Sequence, residues 1–156
     1  MGVSIHEAVQ QLQAVLDECF IYVDKPWTYF TDNKPDAGFI GLLNTISVAE
    51  ASRKIAGTSI ASHAHHVRFS LIESASWIRG DHSERDWAES WKVNDVNEDE
   101  WSKMRHEILK AYEDLREAIG SHASGNAEAF GGAAGVVAHM AFHLGAIRQK
   151  AAVVRE

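Results

Sequence analysis

Cysteine occurs once in the 156 residues, at Cys19, so no intrachain disulfide can form and a reducing compartment is the natural setting. Proline occurs twice, at Pro26 and Pro35, both in one early stretch, and the rest of the chain is free to build long helices. No cluster of Lys or Arg stands out and the net charge is −7, which argues against nucleic acid as a partner. The amino terminus lacks a basic region followed by an apolar run, so no signal peptide is expected. No run of residues reads as a membrane span of about 18 apolar positions. The expectation is a cytoplasmic protein with no membrane partner. No segment alternates apolar and polar residues as a half-buried strand does.

Helical periodicity fills most of the chain. Ile5, Ala8, Val9, Leu12, Val15, Leu16, Cys19 and Phe20 recur at spacings of three and four behind a Ser4/Glu7 capping-box pattern. Cys19 lies on that stripe, with no cation nearby in sequence to activate it, and reads as a core residue. Residues 23–57 form a long connector holding one or two short helices between about 37 and 55. A second long helix runs from Ser59 to Ile78 and ends at Gly80. The polar stretch 81–99 follows, then a third helix over 98–120 with Gly120 as its stop. A fourth spans about 127 to 153. The balance of 46% hydrophobic and 24% charged residues suits one domain over 1–156, and four amphipathic helices predict an all-α antiparallel bundle.

The nine histidines are placed in a telling way. His139 and His143 are four apart, on one helix face one turn apart, where both imidazoles can reach a single ion. They flank the core stripe of Val136, Met140, Leu144 and Ile147, where a buried imidazole needs a polar partner and a metal would serve both. Two partly exposed histidines would give the same spacing. The second long helix offers His63 and His66, three apart beside Ile60 and Val67, while His65 is rotated by about 100° and points elsewhere. Three neutral imidazoles leave one coordination position open, the arrangement of catalytic rather than structural sites. Imidazole ligation suits zinc, nickel, iron or copper.

Other chemistry is excluded. Met140 stands where an HExxH helix carries its glutamate, and no GxSxG occurs. Gly131-Gly132-Ala133-Ala134-Gly135 follows no strand, so its small residues read as a close helix approach rather than a phosphate loop. Trp77, Trp87 and Trp91 are available to wall a pocket above the metal. Glu73 and Arg148 are the candidate polar groups beside it.

The segment Ala138-His139-Met140-Ala141-Phe142-His143-Leu144-Gly145-Ala146-Ile147-Arg148-Gln149 resembles the last-helix motif of the DinB-like (damage-inducible B) superfamily. Ser59 to Leu71, with His66 followed by Val67, resembles its second-helix motif, and Trp91 to Trp101 resembles the stretch before its third helix. The resemblance implies an up-down-down-up four-helix bundle, often a homodimer, with a metal (zinc or nickel) held by His66, His139 and His143. His63 is the alternative to His66, or its neighbour. Ala146 departs from the glutamine that relatives frequently carry there. Characterised relatives include bacillithiol and mycothiol S-transferases, so the resemblance implies a transferase acting on a small molecule with a low-molecular-weight thiol. A metal-binding bundle without catalysis and a purely structural dimerising bundle stay open.

Overall fold

The structure, a computed structural model, describes residues 2–156. It is all-helical: α1 (Ile5–Phe20), α2 (Phe39–Asn44), α3 (Val48–Ser52), α4 (Ile60–Ile78), α5 (Glu98–His122) and α6 (Ala127–Val154), with a 3-10 turn at Trp87–Trp91. Among the described residues there are six helices, the four long ones and, inside the 37–55 stretch where one or two short helices are expected, α2 and α3.

Local chemistry sets the helix starts. Ser4, Ser47, Ser59 and Asn97 each cap a helix by accepting the backbone N–H three residues on, and the third residue answers with its own side chain. Asn126 caps α6 in the simpler way, accepting from Ala129 N at 2.8 Å. Gly80 follows α4 with φ of 103°, a left-handed value glycine adopts without penalty. Gly120 does not stop its helix, which continues to His122. A Cβ there would collide with the Gln13 amide, whose Nε2 donates to the Arg116 carbonyl at 2.9 Å. This glycine makes room for α1 instead of ending α5.

The four long helices pack as a ring, α4 against α5 and α6, and α1 against the same two. Side-chain pairs fix their directions. Arg68 meets Glu107 while Arg79 meets Asp114 and Glu117, so α4 and α5 run parallel. Asp17 of α1 accepts from Tyr112 and Arg116, and Phe20 stacks on Tyr112, so α1 runs against α5. His63 meets His143 and His66 meets His139, so α6 runs against α4. Leu16, Phe20, Leu71, Ile108, Leu115 and Leu144 are among the large side chains removed from solvent between them. Each such burial contributes roughly 1.5–3 kcal/mol.

The connector is anchored at two points. Trp101 Nε1 donates to the Ile46 carbonyl at 3.0 Å, tying the α2–α3 junction to α5. Glu18, buried in the last turn of α1, gathers the backbone of residues 29–31.

One departure concerns α6. An 18-residue window within this 28-residue helix reaches a mean hydropathy of 1.4, enough by length and composition for a membrane span, which the residue-by-residue reading did not anticipate. The same helix inserts Val136, Met140, Leu144 and Ile147 into the core, while 39% of that window is buried and Phe142 stands exposed.

Candidate metal centre

α4 and α6 face each other across three converging imidazoles. His66 Nε2 and His139 Nε2 are 3.2 Å apart, and His139 Nε2 and His143 Nε2 are 2.9 Å apart. All three ligand atoms lie within 4.8 Å of one another. A tetrahedral ion with metal–nitrogen bonds near 2.0–2.1 Å separates its imidazole nitrogens by about 3.3 Å. The fit is close. His66 and His143 are buried and His139 is partly exposed, so one side of the centre is open.

The surrounding hydrogen bonds decide which nitrogens carry protons. Ser90 Oγ donates to the Trp87 carbonyl at 2.6 Å, and its lone pair lies 2.7 Å from His66 Nδ1. A hydroxyl whose proton is committed can only accept, so His66 carries its proton on Nδ1 and presents a bare Nε2. His63 occupies the other side of His143, with the two Nδ1 atoms 3.0 Å apart, and its own Nε2 lies 3.2 Å from Thr58 Oγ1. The Nδ1 pair suits a shared proton on either ring, and in the tautomer with the proton on His143 Nδ1, His143 also presents a bare Nε2. Three nitrogens then converge with one proton among them at most. A cation accepts all three lone pairs at once, and the donor set fits a divalent metal.

Burial pushes all four imidazoles toward the neutral, metal-ready form. His66 is lowered to about 4, by desolvation first and then by His139, His63 and His65. His143 is lowered to about 3 and His63 to about 4, again with desolvation the leading cause. His139 moves in the same direction by desolvation. Trp91 shields the group, its ring stacked on His66 at a centroid distance of 4.1 Å and edge-on to His63 at 5.3 Å.

His65 points away from the centre, with Nδ1 2.7 Å from the Ser90 carbonyl. His63 sits behind His143 rather than in the convergent set. Of the polar candidates, Glu73 lines a cavity that reaches His139, whereas Arg148 pairs with Asp32 at 3.1 Å and lines a separate groove. Of the tryptophans, Trp77 and Trp87 line the cavity and Trp91 covers the imidazoles. Ser90, Arg85 and His82 escaped the sequence reading. All three come from the polar stretch after α4, where no periodicity signals which side chains turn inward.

Cys19 is fully buried in the core, and burial together with Glu18 raises its thiol to about 12, so it offers no nucleophile. The cavity beside His139 has a volume of about 420 Å³, within the range of small-molecule sites. The chain matches no protein-family model, no curated protein and no solved structure.

Proposed function

We propose that this chain is a DinB-like, metal-dependent transferase that joins a low-molecular-weight thiol to a small-molecule substrate. The observation that carries the reading is the convergence of three Nε2 atoms, on opposed helices, beside a small-molecule-sized cavity that His139 lines. Support for the family assignment comes from the motif resemblance and from the pairwise helix directions, which suit an up-down-down-up bundle. The homodimeric state, the cytoplasmic setting and the preference for zinc or nickel belong to the same proposal and follow the resemblance.

His66, His139 and His143 would hold the ion through Nε2. Ser90 and His63 would hold His66 and His143 in the ligating tautomer. A divalent ion held there supplies positive charge that lowers the pKa of a thiol brought to its open position. The chain provides no nucleophile of its own at the site, which agrees with a nucleophile delivered by a cosubstrate. Trp91 keeps water from the buried side and leaves the approach through the cavity beside His139.

Metal analysis of the untagged protein, beside a His139→Ala, His143→Ala variant, tests the centre. The expected result is close to one ion per chain, absent from the variant. Absence of metal from the unaltered protein, even after zinc or nickel is added, ends the metal reading. If the ion is present, conjugation of cysteine and other small thiols to chlorodinitrobenzene tests the chemistry. Turnover abolished by chelation and restored by metal supports transfer; a fully loaded protein without turnover favours a metal-binding bundle without catalysis.

A further inference from the structure

The cavity beside His139 has a chemical bias of its own. Its walls are apolar at Trp77, Ile78, Trp87 and Val136. On the α6 side Gly132 and Gly135 bring the wall down to backbone. A Cβ at 132 would collide with the Trp77 ring, whereas nothing lies within 4 Å of a Cβ at 135, so the space over Gly135 is open. Trp77 is fixed in place by His82, stacked on it at 4.5 Å with planes 15° apart. The result is a groove lined by the indoles of Trp77 and Trp87 and by bare helix backbone at Gly132 and Gly135.

Its charges are equally specific. The ionisable groups lining it are Glu73, Arg85, His82 and His139. Arg85 has its donors committed: Nε to Glu73, Nη1 to Ser83, and Nη2 to Ser76 at 3.2 Å and Asp81 at 2.9 Å. It has no fork left for a ligand carboxylate or phosphate. Glu73 accepts from Arg85 through Oε2, and its Oε1 has no partner among the described residues. Glu73 and Asp81 together outweigh the one guanidinium, and the Ser83 and Ser76 hydrogen bonds and the Arg85 pairing keep the Asp81 carboxyl ionised well below the usual range. Glu73 stands seven residues after His66 on the same helix, about 10 Å along the axis.

We propose that this groove binds a flat aromatic molecule bearing an ammonium or N–H donor, its ring against Trp77 and Trp87 and its donor on Glu73 Oε1. With no metal bound, anionic aromatics are rejected, because Arg85 is committed and a carboxylate would meet Glu73 with no free cation in the groove. The proposal rests on the cavity itself; it borrows from the functional reading only that the groove abuts the metal at His139, which would make this ligand the substrate rather than the thiol.

Calorimetric titration with tryptamine, indole and indole-3-acetate tests it, on protein as purified and again after chelation, with metal content measured on each sample. The expected order on the chelated protein is tryptamine, then indole, then indole-3-acetate, with at least tenfold between the two charged probes. Glu73→Gln should bring tryptamine and indole within threefold of each other. Because that variant also loses the Arg85 pair, Gly135→Leu provides the independent check. Its Cβ meets nothing within 4 Å, and it should weaken tryptamine and indole more than tenfold while leaving the melting temperature near that of the parent. On the chelated protein, equal or tighter binding of indole-3-acetate, no detectable tryptamine binding, or full affinity in Gly135→Leu overturns the proposal. The two readings separate cleanly: charge selectivity that survives chelation stands even in a protein that never binds metal, and a protein that loads fully but lacks it once chelated sinks the groove alone.

Discussion

Glu18 and the histidine centre are both polar groups buried in an apolar core, and they solve that problem in opposite ways. The Glu18 carboxylate accepts from the backbone N–H groups of Tyr29, Phe30 and Thr31 at 2.7–2.8 Å and from the Thr31 hydroxyl at 3.0 Å. Burial alone would raise its pKa, but these donors prevail and hold it below the ordinary value. Every lone pair that matters is used by the chain itself. At the centre, by contrast, His66, His139 and His143 turn their Nε2 atoms on one another. Buried polarity that the chain satisfies is architecture. Buried polarity left facing itself asks for something from outside.

The largest effect of a single substitution that sharpens this contrast is expected from Glu18→Ala. It leaves three backbone N–H groups without their acceptor and frees the 29–31 segment from α1, and the loss should be on the order of 3 kcal/mol of stability. Chemical denaturation measures it, with metal content read in parallel. Metal binding should be unchanged, since Glu18 contacts the connector and none of the imidazoles. A variant of parental stability would show that the connector does not depend on the carboxylate.

Acidification discriminates the two regions in a second way. Histidines lowered to about 3–4 in the fold return to about 6.5 when unfolded, so between those values the unfolded chain binds more protons. Stability therefore falls as pH drops below about 6.5 and finishes falling near the folded values. At pH 5 the cost is on the order of 1–2 kcal/mol for each of His63, His66 and His143 in chelated protein. Glu18 loses stability in the same direction but in a lower pH window. Its lowered pKa contributes stability above the ordinary carboxylate value and surrenders it only at still lower pH. Thermal melts of chelated protein from pH 7 to 5 should thus show a decline that the His139→Ala, His143→Ala variant reduces. A flat profile would mean that these imidazoles are hydrated rather than buried.

How much of this was legible beforehand follows the range of each interaction. His139 and His143 share a helix, and four-residue spacing is enough to place them together. Ser59 fixes the start of the second long helix and puts His63 and His66 on one face, and the motif resemblance favours His66 between them. The helix ends at Gly80 and the capping serines are local for the same reason. Glu18 carried no signal, since its partners lie 11–13 residues away in a segment without periodicity. Gly120 misled for a related cause: a glycine that ends a helix and one that admits a neighbouring helix look identical until the neighbour is known. The same holds for Arg85, whose pairing with Glu73 exists only once the polar stretch folds back over α4.

Ser90 is the finest test of the contrast, because it is satisfied architecture serving the unsatisfied centre. Its hydroxyl gives its proton to the Trp87 carbonyl and takes one from His66, so the 3-10 turn over 87–91 sets the tautomer of a ligand on another helix. Ser90→Ala leaves the turn's backbone in place and removes one buried hydrogen bond to a neutral ring, a cost of about 1 kcal/mol in chelated protein. His66 then loses the acceptor that holds its proton on Nδ1, and partners of this kind are worth 10–100-fold in metal affinity. Competition with a chelating dye should show that loss for zinc, and Ser90→Thr, which restores the hydroxyl, should recover most of it. If Ser90→Ala binds zinc as tightly as the parent, packing by Trp91 rather than the hydrogen bond orients His66, and the tautomer argument for the centre fails at its best-defined point.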